Sequence, residues 1–542
     1  MGKKVAETNT DILTKVEDWV SNHQKKVICL IIGVFTLMSL LLFNLRVSEG
    51  GDDSTYIIRA LNFINAGSYP SFQGPLYPIF LSLFVGVFGI KLGLLKMTSL
   101  LLMVISLWVF YRVYRERISF TLLFSTLLIT SLSSQYIYFS SQTYSEALFI
   151  LIQLPVFAIV YSLIEDNSGH IKWQQLFLLS LAIVSAYLTR TVGIGALVAV
   201  FLFLTIQKRY KETAIILGGF IALMLIFLVA KSIIWDNGFF DSGQANTLIY
   251  KHPYQLDKGK ETFSGFVSRF VDNSNLYLSK HFLQMVGLKS LKLKSINGWL
   301  TILLYALFFW GTYKAFKKNK YILFTAIYTA IMLGMTFIVL QKIWDQYRLI
   351  VPFFSSMILV LLFGIFELAK EKKGKWIPRS ALFLVVICTG SVLIQSFSKV
   401  DLITLGKNLK GDLYEGYTDD WRHYLSMTEY AGKELPADAY VAVRKPNMAR
   451  IYANGKKFYG IYRYDSDNPD ALLKRLKDKK VTHVIMASLR KNPAVNNGQT
   501  INTIHRYLYI ISKKYPEIFK LEHQIGKVEP AYLFRVDYNA AK

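Results

Sequence analysis

Long apolar runs alternate with short polar connections over roughly the first four hundred residues of the chain. Runs of about 18 or more apolar residues have the length of membrane-spanning helices, and the first is VICLIIGVFTLMSLLLF. Two shorter runs, about 173–189 and 192–207, meet at a bend, while the proline-started run at 75–90 fits an interfacial helix better than a span. The pattern predicts a polytopic α-helical membrane protein with about eleven transmembrane helices.

From about residue 398 the pattern changes to strand-like pieces such as AYVAVR, KFYGIY, THVIMAS and AYLFRVD, which alternate with amphipathic helical pieces. This alternation is typical of a small α/β domain. We therefore expect three parts in the chain. They are a cytoplasmic N-terminal segment at 1–26, a transmembrane domain at 27–397 with outer loops 46–90 and 236–296, and a soluble α/β domain at 398–542.

The distribution of charge sets the expected topology. The chain has 62 Lys and Arg against 36 Asp and Glu, a net charge of +26, and the basic residues cluster in short connections between apolar runs. This is the positive-inside pattern of a membrane protein rather than a nucleic-acid-binding face, and it predicts an N-in, C-out orientation with the C-terminal domain outside. A mean hydropathy of +0.34 argues against an ordinary soluble protein. Cys29 and Cys388 both lie in apolar runs, so no disulfide framework is expected.

With this topology, polar residues that need an explanation fall on the outer side of the membrane. They are Asp52 and Asp53 in the first outer loop, Glu146 at the start of a span, Arg190 at the bend and Arg348 before a late span. Ionisable groups at membrane depth are costly and often functional. A transporter more often places such groups near the midplane within two related halves, and we find no internal repeat in the sequence.

Four segments resemble, in order, outer-face motifs of the GT-C glycosyltransferases, with the protein O-mannosyltransferase and aminoarabinose transferase (family 39-like) group as the nearest branch. They are DDSTY followed by QGPLYP, then SQTYSEALF, LTRTVGI and WDQYRLIVPF. The resemblance covers about residues 30–397 and extends loosely to the C-terminal domain. It implies a GT-C fold and an inverting transfer of a sugar from polyprenyl phosphate to an acceptor hydroxyl or amine. The active site would face the periplasm or exterior of a bacterial inner membrane.

The resemblance assigns roles to the acids. Asp52 is the predicted catalytic base because it stands four residues before Tyr56, as in the family pattern D-[DE]-x-x-Y. Asp53 is its rival, with capping of a helix that begins near Ser54 as its alternative role. Glu146 is the third predicted catalytic residue, which would orient the acceptor or hold a divalent ion. Its alternative is an acid placed at a helix start by the helix dipole.

A departing lipid phosphate needs cations, and guanidinium groups bind phosphate in a bidentate manner. The predicted donor-phosphate ligands are Arg59, Arg190, Lys231 and Arg348. For Arg190 and Arg348 the alternative is snorkelling to lipid headgroups. The residues predicted to line the substrate site are Tyr56, Gln73, Tyr77, Tyr144 and Tyr347.

No metal motif is present and no cofactor is assigned, although some relatives use a divalent cation. The expected partners are a polyprenyl-phosphate sugar donor, a lipid, glycan or protein acceptor and membrane lipids, without nucleic acid. The alternatives are a polytopic transporter or lipid-linked glycan flippase without transferase activity, and a glycan polymerase or ligase. The acidic first loop argues against a polymerase or ligase, which usually depends on a large outer loop with arginines.

Overall fold

The computed structural model describes residues 12–70, 74–166, 168, 170–235, 247–253, 255–371, 376–461, 468–490 and 503–541, and the chain divides into two compact units. The first unit comprises Met1–Phe43, Phe63–Phe80 and Lys96–Asp401. The second comprises Asn44–Asn62, Leu81–Leu95 and Leu402–Lys542. The predicted domain boundary at 398 stays a prediction, and the second unit takes in two earlier segments that the sequence did not associate with the C-terminal part.

Eight helices among the described residues are long and apolar enough to cross a membrane, or nine if one bent pair forms a single span. They are Ile12–Leu41, Leu92–Tyr114, Ser145–Glu165, Tyr210–Trp235, Gly298–Lys318, Lys320–Val339, Val351–Glu371 and Arg379–Phe397, and the pair is Phe120–Leu132 with Ser134–Ser141, bent by 58°. The shorter apolar helices are Leu76–Phe88, Trp173–Thr189 and Thr191–Ile206. The predicted helical membrane fold is confirmed. Two of the eleven predicted spans are these shorter helices at 173–189 and 191–206.

The outward faces of these helices are apolar. Ile233 is 78% exposed, and Ile226, Phe309 and Ile394 are each more than 60% exposed. In water, continuous apolar faces of this kind would drive association, whereas in a bilayer they contact hydrocarbon. The protein is therefore an integral membrane protein.

Inside the first unit, polar groups are paired and helices approach closely. The Tyr161 hydroxyl lies 3.1 Å from the Tyr114 hydroxyl and 2.9 Å from Thr325 Oγ1. A Cβ atom added to Gly311 would fall inside 3.0 Å of the Val360 carbonyl oxygen, so the neighbouring helix can pack only against glycine there. Small residues and side-chain hydrogen bonds of this kind hold helices together in lipid.

The C-terminal part of the second unit contains a five-stranded mixed sheet in the order β2-β1-β3-β5-β4. The strands are β1 Val441–Val443, β2 Phe458–Gly460, β3 His483–Ala487, β4 Phe519–Ile525 and β5 Ala531–Val536. The pairs β1–β2 and β1–β3 are parallel, and β3–β5 and β5–β4 are antiparallel. The helices are Leu402–Leu409, Asp419–Glu434, Pro446–Tyr452, Pro469–Asp478 and Thr503–Lys514. The predicted α/β domain is confirmed.

Candidate functional site

Three predicted site residues meet in the first unit. The Glu146 carboxylate lies in the first turn of helix Ser145–Glu165 with 0% of its side chain exposed, and both Arg190 and Arg348 reach its Oε1 atom. Arg190 Nη1 lies 2.5 Å from Oε1, and Arg348 donates from Nε. Glu146 Oε2 has no hydrogen-bond partner among the described residues. We call Glu146, Arg190 and Arg348 the arginine cluster.

The arginine cluster brings two guanidinium groups to one carboxylate oxygen. Guanidinium groups bind anions such as phosphate and carboxylate through several N–H donors at once. The side chains of Arg190 and Arg348 are 17% and 15% exposed, so a ligand can reach them although it cannot reach Glu146. The Arg348 guanidinium also lies 4.6 Å from the centroid of the Tyr144 ring, which places this predicted lining residue beside the cluster.

The turn that carries Arg190 is shaped by two glycines. Arg190 has extended backbone directly after a helix, and its N–H donates to the Ala186 carbonyl at 3.0 Å. A Cβ at Gly193 would fall inside 3.0 Å of the Ala186 backbone, and a Cβ at Gly74 would do the same with the carbonyl oxygen of Leu188. The glycines of two sequence motifs, QGPLYP and LTRTVGI, therefore pack against the turn that holds Arg190.

Arg348 is carried by the short 3-10 turn Tyr347–Leu349. The Tyr347 ring packs edge-on against Tyr138 and Phe139, at centroid distances of 6.4 and 6.1 Å. These two aromatic residues precede the segment that leads into Glu146, so Tyr347 links the two chain segments of the arginine cluster. Its predicted place in the lining of a substrate site stays a prediction.

A second group of residues holds the segment before Arg348, and sequence reasoning assigned it no role. It lies on helix Phe263–Leu276, within the predicted outer loop 236–296. Arg269 is 1% exposed, pairs with Glu261 at 2.8 Å and donates to the Val339 carbonyl at 3.2 Å. The Asn273 amide donates to the carbonyls of Phe337 and Leu340 at 2.8 and 2.9 Å.

The π-helix Tyr277–Phe282 follows this helix and bonds to the same segment. We call these contacts, made by residues 269–282 to residues 337–345, the anchor of Arg348. The Tyr277 hydroxyl donates to the Trp344 carbonyl at 2.8 Å, and the Asp345 carboxylate receives Lys280 at 2.6 Å and His281 Nε2 at 2.7 Å. The signal in the sequence is a spacing of four between polar residues that share a helix face. These residues are Arg269, Asn273, Tyr277 and His281.

The other predicted residues of the first unit have different surroundings. Lys231 is 4% exposed, and its ammonium lies 5.5 Å from the centroid of the Tyr69 ring. Tyr77 is fully buried and stacks on Phe80 with ring centroids 6.5 Å apart. Gln73 lies outside the described residues. Roles for these three residues stay predictions.

The two acids of the first outer loop belong to the second unit, and their environments differ. Helix Asp52–Ala66 begins at Asp52, two residues before the predicted start. Asp53 is 1% exposed, and its carboxylate accepts from the backbone N–H groups of Ser48 at 2.7 Å and Ser54 at 2.8 Å. Asp52 is partly exposed. The Asp53 carboxylate is thus buried and hydrogen-bonded to the backbone of the loop, whereas the Asp52 carboxylate is accessible to solvent.

Tyr56 and Arg59 lie on the same helix as these acids, and Tyr56 is 2% exposed. Burial lowers the pKa of Arg59 below its ordinary value, while Tyr56 and Asp52 act in the opposite direction. Asp52 lies about two helical turns before Arg59 on this helix. Its predicted contact with the donor phosphate stays a prediction.

An apolar cavity of about 170 Å³ lies among the helices of the first unit. Its walls include Phe270, Leu278, Phe282, Leu333 and Gly334. Phe270 and Phe282 come from the elements that also hold the segment before Arg348. Among the described residues, no group of three or more His, Cys, Asp or Glu is arranged to hold a metal ion.

No protein-family model and no curated protein matches the chain. Solved structures do match it. ArnT from Cupriavidus metallidurans bound to undecaprenyl phosphate aligns over 95% of this chain and 98% of its own length, with a TM-score of 0.56 and 11% identity. The archaeal oligosaccharyltransferase AglB from Archaeoglobus fulgidus, in complex with an inhibitory peptide and a dolichol-phosphate, aligns over 94% of this chain and 74% of its own, with a TM-score of 0.52 and 11% identity.

The Archaeoglobus fulgidus oligosaccharyltransferase tethered with an acceptor peptide gives a TM-score of 0.55 at 11% identity, over 96% of this chain and 75% of its own. The chain therefore has the overall fold of these structures, and the predicted GT-C fold is confirmed.

Proposed function

We propose that this protein is a membrane glycosyltransferase that moves a sugar from a polyprenyl-phosphate donor to an acceptor at the outer face of the membrane. The observation that carries the proposal is the arginine cluster, which brings two partly exposed guanidinium groups together in a chain with the GT-C fold. Two structures with this fold hold a polyprenyl phosphate, undecaprenyl phosphate in ArnT and dolichol-phosphate in AglB. A phosphate monoester is the kind of anion that paired guanidinium groups bind.

In the proposed reaction the acceptor hydroxyl or amine attacks the anomeric carbon as Asp52 takes its proton. The new bond to the acceptor forms while the bond from the anomeric carbon to the phosphate oxygen breaks. The electron pair leaves with the polyprenyl phosphate, and Arg190 and Arg348 stabilise the resulting charge. A single displacement of this kind inverts the anomeric configuration.

The apolar cavity supports a lipid donor. Its walls are almost entirely hydrocarbon and aromatic side chains, which suits an isoprenoid chain better than a polar ligand. Because the cavity shares two elements with the anchor of Arg348, we assign it to the part of the lipid that follows the phosphate. The proposed location is a bacterial inner membrane, with the acceptor a protein, lipid or polysaccharide outside.

The proposal can be tested with purified protein in liposomes. A panel of undecaprenyl-phosphate-linked hexoses and pentoses is supplied with a membrane extract as acceptor, and released undecaprenyl phosphate and glycosylated product are measured. We expect Asp52→Asn to lower turnover by about 10²–10⁴-fold, the usual contribution of a general base. Asp438→Asn, at an exposed acid of the same unit, is the control.

If Asp52→Asn and Asp53→Asn both transfer sugar at the wild-type rate, the proposed base is wrong. If the wild-type protein moves the donor across the bilayer without releasing undecaprenyl phosphate, it is a flippase and not a transferase.

A further inference from the structure

The first-loop segment 44–62, which we call the acidic segment, is bonded along its length to the C-terminal part of the second unit. Each hydrogen bond joins a side chain of either the acidic segment or the C-terminal part to a backbone or side-chain group of the other. The donor and acceptor pairs are Leu45 N–H to Asn408, Arg46 to Gly416 carbonyl, Tyr417 to Val47 carbonyl, Lys445 to Gly50 carbonyl, Asn447 to Thr55 and Arg450 to Asn62. The conformation of the loop that carries Asp52 therefore depends on residues about 350–400 positions later.

Lys445 contacts the turn directly before the two acids. Its ammonium donates to the Gly50 carbonyl at 3.0 Å, two residues before Asp52. Gly51, between them, has a φ of 87°, in the left-handed region that favours glycine. The side chains that act on the Lys445 charge are the carboxylates of Asp52, Asp53 and Glu49 and the guanidinium of Arg444. Lys445 thus fastens a tight turn whose other end is the start of the helix with both acids.

The helix that follows Lys445 fixes its position. Asn447 and Arg450 lie three residues apart on helix Pro446–Tyr452, and they donate to Thr55 at 3.1 Å and Asn62 at 2.8 Å. Residues at this spacing share a helix face, so one face of this helix follows helix Asp52–Ala66. Lys445 precedes that face and is directed at the turn before Asp52.

We propose that Lys445 is a positioning residue for sugar transfer, which fixes the turn at Gly50 and orients the Asp52 carboxylate from the C-terminal domain. This inference rests on the proposed role of Asp52 as the base. It gives the C-terminal part a defined contribution to the reaction, although this part lacks a recognisable catalytic motif of its own.

The charge of Lys445 gives the inference a pH signature. Burial, followed by the charge of Arg444, lowers the pKa of Lys445 to about 8, while Asp52, Asp53 and Glu49 act in the opposite direction. Below this pH the ammonium is charged and is attracted to the acids, and above it the charge is lost. Turnover should therefore fall as the pH rises through about 8.

The test compares Lys445→Met, Lys445→Arg and a matched control, Lys456→Met, whose wild-type ammonium donates to the Pro436 carbonyl at 2.8 Å in the same unit. The kcat and KM are measured from about pH 6 to about pH 10, with the undecaprenyl-phosphate sugar that the wild-type protein uses fastest. We expect Lys445→Met to lower kcat by about 10–100-fold, the scale of a misplaced catalytic group, with little change in donor KM. Lys445→Arg should retain most of kcat and lose the alkaline decline, because a guanidinium stays charged. Lys456→Met should match the wild type.

Wild-type kcat and pH profile in Lys445→Met, together with an inactive Asp52→Asn, would overturn the role of Lys445 and leave the proposed function intact. Full activity in both Asp52→Asn and Asp53→Asn would instead remove the proposed function on which the inference rests. If Lys445→Met does not fold, Lys445→Arg decides, because an unchanged alkaline decline in that variant contradicts the inference.

Discussion

The arginine cluster and the acidic segment hold their charged groups in opposite ways. In the arginine cluster, three residues from distant parts of the chain meet through their side chains, and a buried carboxylate lies between two cations. In the acidic segment, the acids are neighbours in sequence, and backbone N–H groups and carbonyls hold the loop around them. The comparison teaches that a buried carboxylate can be fixed in two ways, by cations as Glu146 is or by backbone N–H groups as Asp53 is.

The two regions should therefore fail differently. Loss of a charge should disrupt the arginine cluster as a structure, because the remaining charges stay buried. Loss of a contact in the acidic segment should leave the fold intact and change the chemistry. Variants of Glu146, Gly193 and Arg450 test this difference, and a variant of Gly334 tests the separate assignment of the apolar cavity to the lipid tail.

The largest effect is expected for Glu146→Gln. This change leaves two guanidinium groups facing each other without their carboxylate, and removing one partner of a buried ion pair costs about 3–5 kcal/mol. Thermal unfolding in detergent measures the loss. Glu116→Gln is the control because Glu116 is 72% exposed in its surface pair with Arg115, and its removal should cost less than about 1 kcal/mol. An unchanged melting temperature in Glu146→Gln would contradict the structural role of the carboxylate.

Gly193→Ala should distort the turn that holds Arg190. The added methyl group meets the Ala186 backbone inside 3.0 Å, and overpacking of this kind costs about 1–3 kcal/mol. Melting temperature and affinity for undecaprenyl phosphate should fall together. Gly390→Ala has no atom within 4 Å of the new methyl group and should leave both values near wild type. Undecaprenyl phosphate affinity that survives in Gly193→Ala would separate Arg190 from phosphate binding.

Gly334→Leu should shorten the space for the lipid tail. Gly334 lines the apolar cavity, and a Cβ there meets nothing within 4 Å, so the leucine can fill part of the cavity without a backbone clash. We expect KM for an undecaprenyl-phosphate donor to rise by about tenfold, equivalent to about 1.4 kcal/mol, and KM for a geranyl-phosphate donor to stay unchanged. Gly390→Leu is the matched control. Equal effects on long and short donors would place the tail elsewhere.

Arg450→Met should have the smallest effect. It removes the hydrogen bond to Asn62 at the far end of the acidic segment and a second bond to the Gly455 carbonyl, and each such bond contributes about 0.5–1.5 kcal/mol. Hydrogen exchange of amides in 52–62 should become faster, with kcat lowered by no more than a few-fold. Arg475→Met, which removes a bond to Tyr459, should not change exchange in that range. If Arg450→Met lowers kcat as strongly as Lys445→Met, the turn at Gly50 has no special role.

Much of the fold could be predicted from the sequence, because a membrane span or a basic inner loop is defined by neighbouring residues in the chain. The glycines of the LTRTVGI and QGPLYP motifs are also explained, since both pack against the turn of Arg190. Strand β4 was not predicted, because it is an edge strand with a largely exposed, polar sequence, FKLEHQI. Lys445 could not be found at all, because its contact with Gly50 spans 395 positions and leaves no periodic trace in the sequence.

The anchor of Arg348 could be predicted from the sequence only in part. Its four polar residues recur every four positions, which is a readable helix face, but their partners are mostly backbone carbonyls that carry no sequence signature. The periodicity therefore indicates that this polar helix face makes contacts, and the structure identifies the backbone segment that it contacts.

The proposed roles of Asp52 and Arg348 are tested most directly by measuring donor turnover and undecaprenyl phosphate binding side by side in Asp52→Asn and Arg348→Met. We expect Asp52→Asn to lose turnover by about 10²-fold or more and to bind undecaprenyl phosphate like the wild type. Arg348→Met should lose binding by about tenfold or more, because a charge-assisted hydrogen bond contributes about 1.5–3 kcal/mol. Wild-type binding in Arg348→Met, or equal loss of binding in both variants, would contradict the division of labour between the arginine cluster and the acidic segment.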